Sequence, residues 1–162
     1  MAFDAYLRLK GVNQGDINGP VTRPGRKGSI KVIAWTHEVI SPRDAASGLP
    51  TGKRQHRPIT ITKEIDSTSP LLMNVLVNNE NLPQWELALW QHNASGKAVH
   101  YFTIRLTNAS IAAIRQEMLN TQVPDNKPLR EREHISFCYQ KIEWTNLAGG
   151  ITAEDDWEAP VA

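Results

Sequence analysis

The sequence predicts a mainly β fold: a small antiparallel β-barrel or two-sheet sandwich with one flanking α-helix. Three observations carry this expectation. Apolar and polar residues alternate with period two in several short runs. Two of those runs flank the turn-forming tetrad Asn93-Ala94-Ser95-Gly96. Only the segment after Ser69-Pro70 combines helical spacing with a helix start signal. Successive strands with one helix are accommodated most simply by two packed layers or a closed sheet.

The elements follow in order. Phe3, Ala5, Leu7 and Leu9 alternate with Asp4, Tyr6, Arg8 and Lys10, the pattern of a half-buried strand. Gly11, Gly15, Gly19, Pro20, Pro24, Gly25 and Gly28 then mark residues 11–28 as loop. Ser29 to Val39 reads as one strand with apolar groups on both faces. Ile30, Val32 and Ala34 alternate there with Ile33, Trp35 and Val39.

From Ile40 to Gln55 the alternation stops. Pro42, Gly48, Pro50 and Gly52 interrupt the backbone, while Arg43, Asp44, Lys53 and Arg54 keep it solvated. A connection of this length without regular structure is unusual in a compact chain and is often functional. Pro58 leads into Ile59-Thr60-Ile61-Thr62, where β-branched residues favour a strand. Ser69 is then a helix N-cap and Pro70 the first helical residue, where its missing N–H costs nothing. Leu71, Leu72, Val75 and Leu76 form the stripe that lies on a sheet, and Asn78, Asn79 and Asn81 end the helix.

Trp85–His92 and Lys97–Thr107 are the arms of the hairpin. Propensity makes residues 109–119 a helix, with Ile111, Ile114 and Met118 on one face. A loop with Pro124, Asn126 and Pro128 precedes Glu133–Thr145, which reads as one long strand, and residues 152–157 close the pattern. The expected total is about seven or eight strands in a single domain spanning residues 1–162.

Several strands carry large side chains on both faces. Trp85, Leu87 and Leu89 oppose Ala88 and Trp90; Val99 and Tyr101 oppose Phe102, Ile104 and Leu106; Cys138, Ile142 and Trp144 oppose Ile135, Phe137 and Tyr139. A sheet with one face in water would have polar residues at alternate positions. One face fills the core. The other is covered by a second chain, or by a thick sandwich with long loops of its own. A helix of about ten residues is too short to cover three such strands, which favours a subunit interface. Trp85, Trp90, Phe137, Tyr139 and Trp144 are the candidates for interface or core.

Composition narrows the function classes. Of 162 residues, 40% are hydrophobic, and 18 basic residues face 17 acidic ones for a formal charge of +1. Such balance disfavours nucleic-acid binding and a polybasic membrane contact. The N-terminal run is broken by Asp4, Arg8 and Lys10, so no cleaved signal peptide is expected. No apolar stretch reaches the roughly 18 residues of a membrane span. The single cysteine, Cys138, excludes an intramolecular disulfide and suits folding in the cytoplasm.

No catalytic signature emerges. There is no G-x-S-x-G and no H-E-x-x-H, and Gly48-Leu-Pro-Thr-Gly52-Lys53-Arg54 lacks the spacing and the hydroxyl of a phosphate-binding loop. The five histidines never fall at metal-ligand spacing, so neither a metal nor another cofactor is expected.

A resemblance covers essentially the whole chain. It is carried by Ile33-Ala34-Trp35, by Lys63-Glu64-Ile65-Asp66 with Ser69-Pro70-Leu71, and by Tyr101-Phe102-Thr103-Ile104-Arg105-Leu106. Its strongest carriers are Glu133-His134-Ile135-Ser136-Phe137 and Lys141-Ile142-Glu143-Trp144-Thr145, followed by Gly149-Gly150 and Asp155-Asp156-Trp157. In order and spacing these segments resemble the Hcp family, the haemolysin-coregulated tube proteins of bacterial type VI secretion.

The resemblance implies a phage tail-tube-like β fold, hexameric rings, and rings stacked into a hollow tube. It implies export by a contractile sheath, a spike protein at the tip, and small effector proteins in the lumen. It turns residues 109–119 into a strand, the reading adopted over propensity. It places Arg43, Asp44, Lys53 and Arg54 at a ring-stacking loop, and Thr36, Ala113 and Arg115 toward the lumen. Ending at Ala162, the chain reads as the plain tube subunit without a fused effector domain. Two other readings stand beside it: a ring-shaped carrier that binds effectors without forming long tubes, and a small β-barrel enzyme or carbohydrate-binding domain. The last lacks any convergent acid–base constellation.

Overall fold

The computed structural model describes residues 3–157; the ends of the expected domain, at residues 1 and 162, lie outside them. Its core is a sandwich of two antiparallel sheets. The larger has seven strands: β1 (Phe3–Gly11), β2 (Gly15–Asp16), β3 (Ile30–Val32), β8 (Gln84–His92), β9 (Ala98–Thr107), β12 (Lys141–Asn146) and β13 (Ile151–Asp156). They run in the order β13-β12-β9-β8-β1-β2, with β3 also on β1. The smaller sheet has four strands in the order β10-β11-β7-β4, with β4 at Ala34–Thr36, β7 at Ile59–Glu64, β10 at Ser110–Glu117 and β11 at Arg132–Cys138. A separate two-stranded ribbon pairs β5 (Val39–Ile40) with β6 (Gln55–His56). One helix, α1 (Ser69–Val77), packs beside β10.

The core lies between the sheets. Leu7, Leu87, Ile104 and Ile142 from the large sheet meet Ile59, Ile61, Ile135 and Phe137 from the small one, all with at most 1% exposure. Trp85 and Phe137 join the layers edge to face, with ring centroids 5.3 Å apart. Leu72 and Val75 of α1 are buried in the same cluster. Each such side chain contributes about 1.5–3 kcal/mol when fully buried.

The outcome differs from the sequence expectation in several places, each with a local cause. The sheets do not close into a barrel; the molecule is a sandwich. Residues 29–39 are not one strand. The chain breaks at Ile33, whose N–H bonds to Thr62 O, so β3 joins the large sheet and β4 the small one. Glu133–Thr145 likewise splits at Tyr139-Gln140 into β11 and β12, in different sheets. This corner explains the two-faced pattern: Phe137 and Ile142 sit on opposite pleats of the notional strand yet enter one core. A third crossing, β9 to β10, turns at Asn108, whose φ of 51° lies in the left-handed region that asparagine tolerates.

Residues 109–119 contain strand β10, paired with β11, rather than a helix. In β1, Tyr6 is buried although it was expected outside, and Phe3 is 62% exposed. The 40–55 connection is not wholly irregular: the β5–β6 ladder closes its root and an Arg43–Pro50 bridge its outer part.

The helix start also differs. Thr68 is the N-cap and makes no side-chain capping bond, while Ser69 is the first helical residue and is buried. The Ser69 hydroxyl instead donates to Glu133 Oε1 at 2.8 Å and accepts from Asp66 N at 3.0 Å. The helix ends as its asparagines predict: Asn79, with φ 48°, donates to Leu76 O, and Glu80 N donates to Val75 O.

The Asn93–Gly96 turn forms as expected, with Asn93 Oδ1 accepting from Ser95 N and Lys97 N and Gly96 at φ 80°. The outward side of the hairpin is partly covered from within. Arg26, from the 17–29 loop, lies 4.3 Å from the Trp90 ring centroid, and His100 stacks on that ring. The loops thus cover part of what the sequence assigned to a partner.

Candidate functional site

The small sheet presents a distinctive outward face. β7 alternates buried Ile59, Ile61 and Lys63 with half-buried Thr60, Thr62 and Glu64, and β11 alternates in the same way. Strand pairing aligns the outward residues into rows. One row runs Thr36–Thr60–Ser136–Ala113, and the next runs Ala34–Thr62–His134–Arg115. The expected lumen residues Thr36, Ala113 and Arg115 therefore share one face, although they come from opposite edges of the sheet.

The first row is small and mostly hydroxylic, whereas the second adds an imidazole and a guanidinium. Thr60 Oγ1 and Ser136 Oγ are 2.9 Å apart, as are Thr62 Oγ1 and His134 Nδ1. His134 Nε2 meets Glu117 Oε1 at 2.8 Å, and Arg115 reaches Glu117 Oε2 at 3.2 Å. The His134 contact first, and Arg115 with it, hold the Glu117 carboxyl below its usual range. Sequence reasoning missed Thr60, Thr62, His134 and Ser136. Their signal was present as the polar half of two period-two runs.

This sheet also has two open edges, β4 and β10. β10 carries a register shift between Ile111 and Ala113. Beside β4 lies a groove of 350 Å³ lined by Phe3, Ile33, Trp35, Leu89 and Tyr101 among others. Ile33 and Trp35 are 43% and 37% exposed, high for apolar residues at an edge strand.

The five aromatic candidates divide among different environments. Trp85, Phe137 and Tyr139 are buried; Trp144 packs on the core while facing His37, and Trp90 is covered by Arg26 and His100. The exposed apolar surface lies at other residues.

The extended loop is built around Asp44. Its Oδ2 accepts from Ser47 N at 2.7 Å and Ala46 N at 3.2 Å, and Asp44 N donates to Leu49 O. The Ser47 contacts hold the Asp44 carboxyl below its ordinary value. Gly48, with φ 72°, lets the tip turn and leaves Leu49 64% exposed, a residue that the polar pattern around it concealed. Arg43 and Lys53 are exposed. Arg54 is not at the tip. It binds both Asp155 oxygens, at 2.6 and 2.8 Å, and the Asp156 carbonyl at 2.9 Å.

A buried polar cluster fixes the small sheet to α1. Lys63 and Glu133, opposite each other on β7 and β11, have fully buried side chains with Nζ 2.6 Å from Oε1. Lys63 Nζ also reaches Glu64 O at 2.9 Å, Asp66 Oδ1 at 3.2 Å and Ser69 Oγ at 3.3 Å. Gln116 of β10 donates to Glu133 Oε2 at 3.0 Å. The paired charges are thereby fully hydrogen-bonded, the condition for retaining them in a core.

Comparison with known proteins places this architecture. The family model described as "Type VI secretion system effector, Hcp" matches residues 6–146. The "Major exported protein" of Pseudomonas aeruginosa is 39% identical over 171 residues, covering all of this chain and 99% of its own length. A crystal structure of an Hcp protein superposes with a TM-score of 0.91 at 32% identity, covering 98% of this chain and 100% of that one. A mutant Hcp1 from E. coli EAEC 042 gives 0.85 at 33% identity, with 96% and 99% covered. Four of the residues that carry the sequence resemblance, Lys63, Asp66, Ser69 and Glu133, meet in the buried cluster. By the match of its sequence and of its fold, the chain belongs to the Hcp family of type VI secretion proteins.

Proposed function

We propose that the chain is the structural subunit of a type VI secretion tube, a single tube domain over residues 1–162 that closes six at a time into rings. The observation that carries this reading is the four-stranded sheet with two open edges and a row of small polar residues across its outward face. Edge strands β4 and β10 offer unpaired backbone groups at opposite sides of one sheet. Joining β4 of one copy to β10 of the next extends the sheet around a closed ring and removes both edges. The exposed Ile33 and Trp35 and the groove beside β4 supply apolar surface for the joint.

The Thr36–Thr60–Ser136–Ala113 row then faces the channel, where small hydroxyl groups give passing effector proteins little to adhere to. Rings stack through the extended loop, with Arg43, Asp44 and Lys53 setting the azimuth and Leu49 adding apolar contact. The spike at the tube tip, the contractile sheath and small effectors are the partners expected from the family. Export through the apparatus is supported by the exported Pseudomonas aeruginosa relative.

Native mass spectrometry with an edge variant tests the ring. The wild-type chain is expected as a hexamer and Trp35→Lys as a folded monomer, because an inward-pointing charge on an edge strand blocks pairing. A hexamer unaffected by Trp35→Lys overturns the β4–β10 joint.

A further inference from the structure

The root of the extended loop is held by polar contacts that stacking alone does not require. His37 precedes the loop and His56 follows its return, and both reach one hydroxyl at the β11–β12 corner. His37 Nε2 lies 2.7 Å from Tyr139 Oη, and His56 Nδ1 lies 2.8 Å from the same atom. The other nitrogen of His56 is 2.6 Å from Asp155 Oδ2 on β13, and the His56 side chain is only 1% exposed. Arg54 clamps Asp155, and the Trp157 indole donates to the Tyr139 carbonyl.

Counting protons defines what this cluster can hold. Arg54 first, and His56 after it, keep Asp155 below the usual carboxylate range against the opposing effect of burial. Asp155 therefore only accepts, and His56 Nε2 carries a hydrogen. Burial pushes the Tyr139 phenol well above its ordinary value, so it keeps its single proton. With both imidazoles neutral, Tyr139 donates to His56 Nδ1 and accepts from His37 Nε2–H. With one added proton on either imidazole, the phenol donates to the neutral one and accepts from the other. In each of these states every contact at the Tyr139 hydroxyl and at His56 Nε2 has one donor and one acceptor.

A second added proton breaks the pattern. Two N–H groups then point at one oxygen, whose own hydrogen has, among the described residues, the Arg57 carbonyl at 3.5 Å, and two cations lie side by side. The other charged and titratable groups around the cluster are Arg54 beside β6, Arg57 next to His56, Asp156 on β13, Glu38 next to His37, and Cys138 ending β11. The Cys138 thiol is pushed up by burial and stays neutral.

We propose that Tyr139 and Asp155 are positioning residues for the extended loop, and that His37–Tyr139–His56 is a catch that accepts one proton and opens on the second. Its consequence for tube assembly rests on the stacking role given above; the catch itself does not. Burial, and then the nearby His56, hold His37 below its ordinary value. A base lowered in this way stabilises the closed loop above the ordinary imidazole pKa of about 6.5. That contribution is lost as pH falls through the lowered value.

Hydrogen exchange on the full chain at pH 7.5 and pH 5, corrected for intrinsic rates, tests this. Amides of the β5–β6 root should exchange at least roughly tenfold faster at the lower pH, the size of one lost buried hydrogen bond, while β8 and β9 stay protected. Tyr139→Phe should release the root at pH 7.5. Asp155→Asn provides the same reading should Tyr139→Phe fail to fold. His37→Gln keeps an amide near the Nε2 position without a second protonation site, so it should remain closed at pH 5. A wild-type root insensitive to pH, or a His37→Gln profile that follows wild type, overturns the catch. Tubes that persist with a released root leave the catch standing and remove the stacking role.

Discussion

At the residue scale, Glu133 illustrates how a sequence signal becomes a physical constraint. A glutamate in an apolar strand would be costly if it faced the core without a partner. Its position opposite Lys63, with Ser69 and Gln116 completing its contacts, removes that cost and ties three strands to the helix start. Truncation leaves a buried ammonium without its carboxylate. Glu133→Ala should therefore lower unfolding stability by about 3–5 kcal/mol in denaturant titration, and Glu133→Gln by less. Equal stability of Glu133→Ala and wild type would show that the cluster is dispensable. The residues of this cluster were legible as family markers, but their role was not. Ser69 read locally as an N-cap because nothing in sequence reveals a glutamate 64 residues away. The meeting of His37, His56, Tyr139 and Asp155 was hidden for the same reason, since they lie in separate segments.

At the element scale, period-two patterning located most strands, whereas the corners were invisible. Ile33 and Tyr139-Gln140 carry no glycine or proline to announce a change of sheet, so one continuous strand was expected across each corner. The excess of apolar residues in Glu133–Thr145 followed from that error, because Ile142 and Phe137 pack in one core after the turn. Residues 109–119 show the converse: local propensity favours helix, and pairing with β11 decides for strand. The extended loop is an element whose removal can be tested separately. Deleting residues 44–53 leaves the β5–β6 ladder and should preserve rings while abolishing tubes in negative-stain images. Tubes of normal length from that variant would exclude the loop from stacking.

At the scale of the whole molecule, the two sheets have different tasks. The large sheet closes the hydrophobic sandwich and carries a charged outer row of Arg8, Glu86, Arg105 and Glu143, with Arg105 bridging to both glutamates. Such exposed pairs contribute little stability but set register and solubility. The small sheet keeps both edges open and carries a row of small polar residues outward, the features on which the proposed ring wall rests. Electron cryomicroscopy of the purified chain tests this division most directly. Six-fold rings with an open centre are expected, with the four-stranded sheet facing the channel and β4 joined to β10 of the neighbouring copy. Stable monomers at micromolar concentration, or rings with the seven-stranded sheet lining the channel, would contradict it.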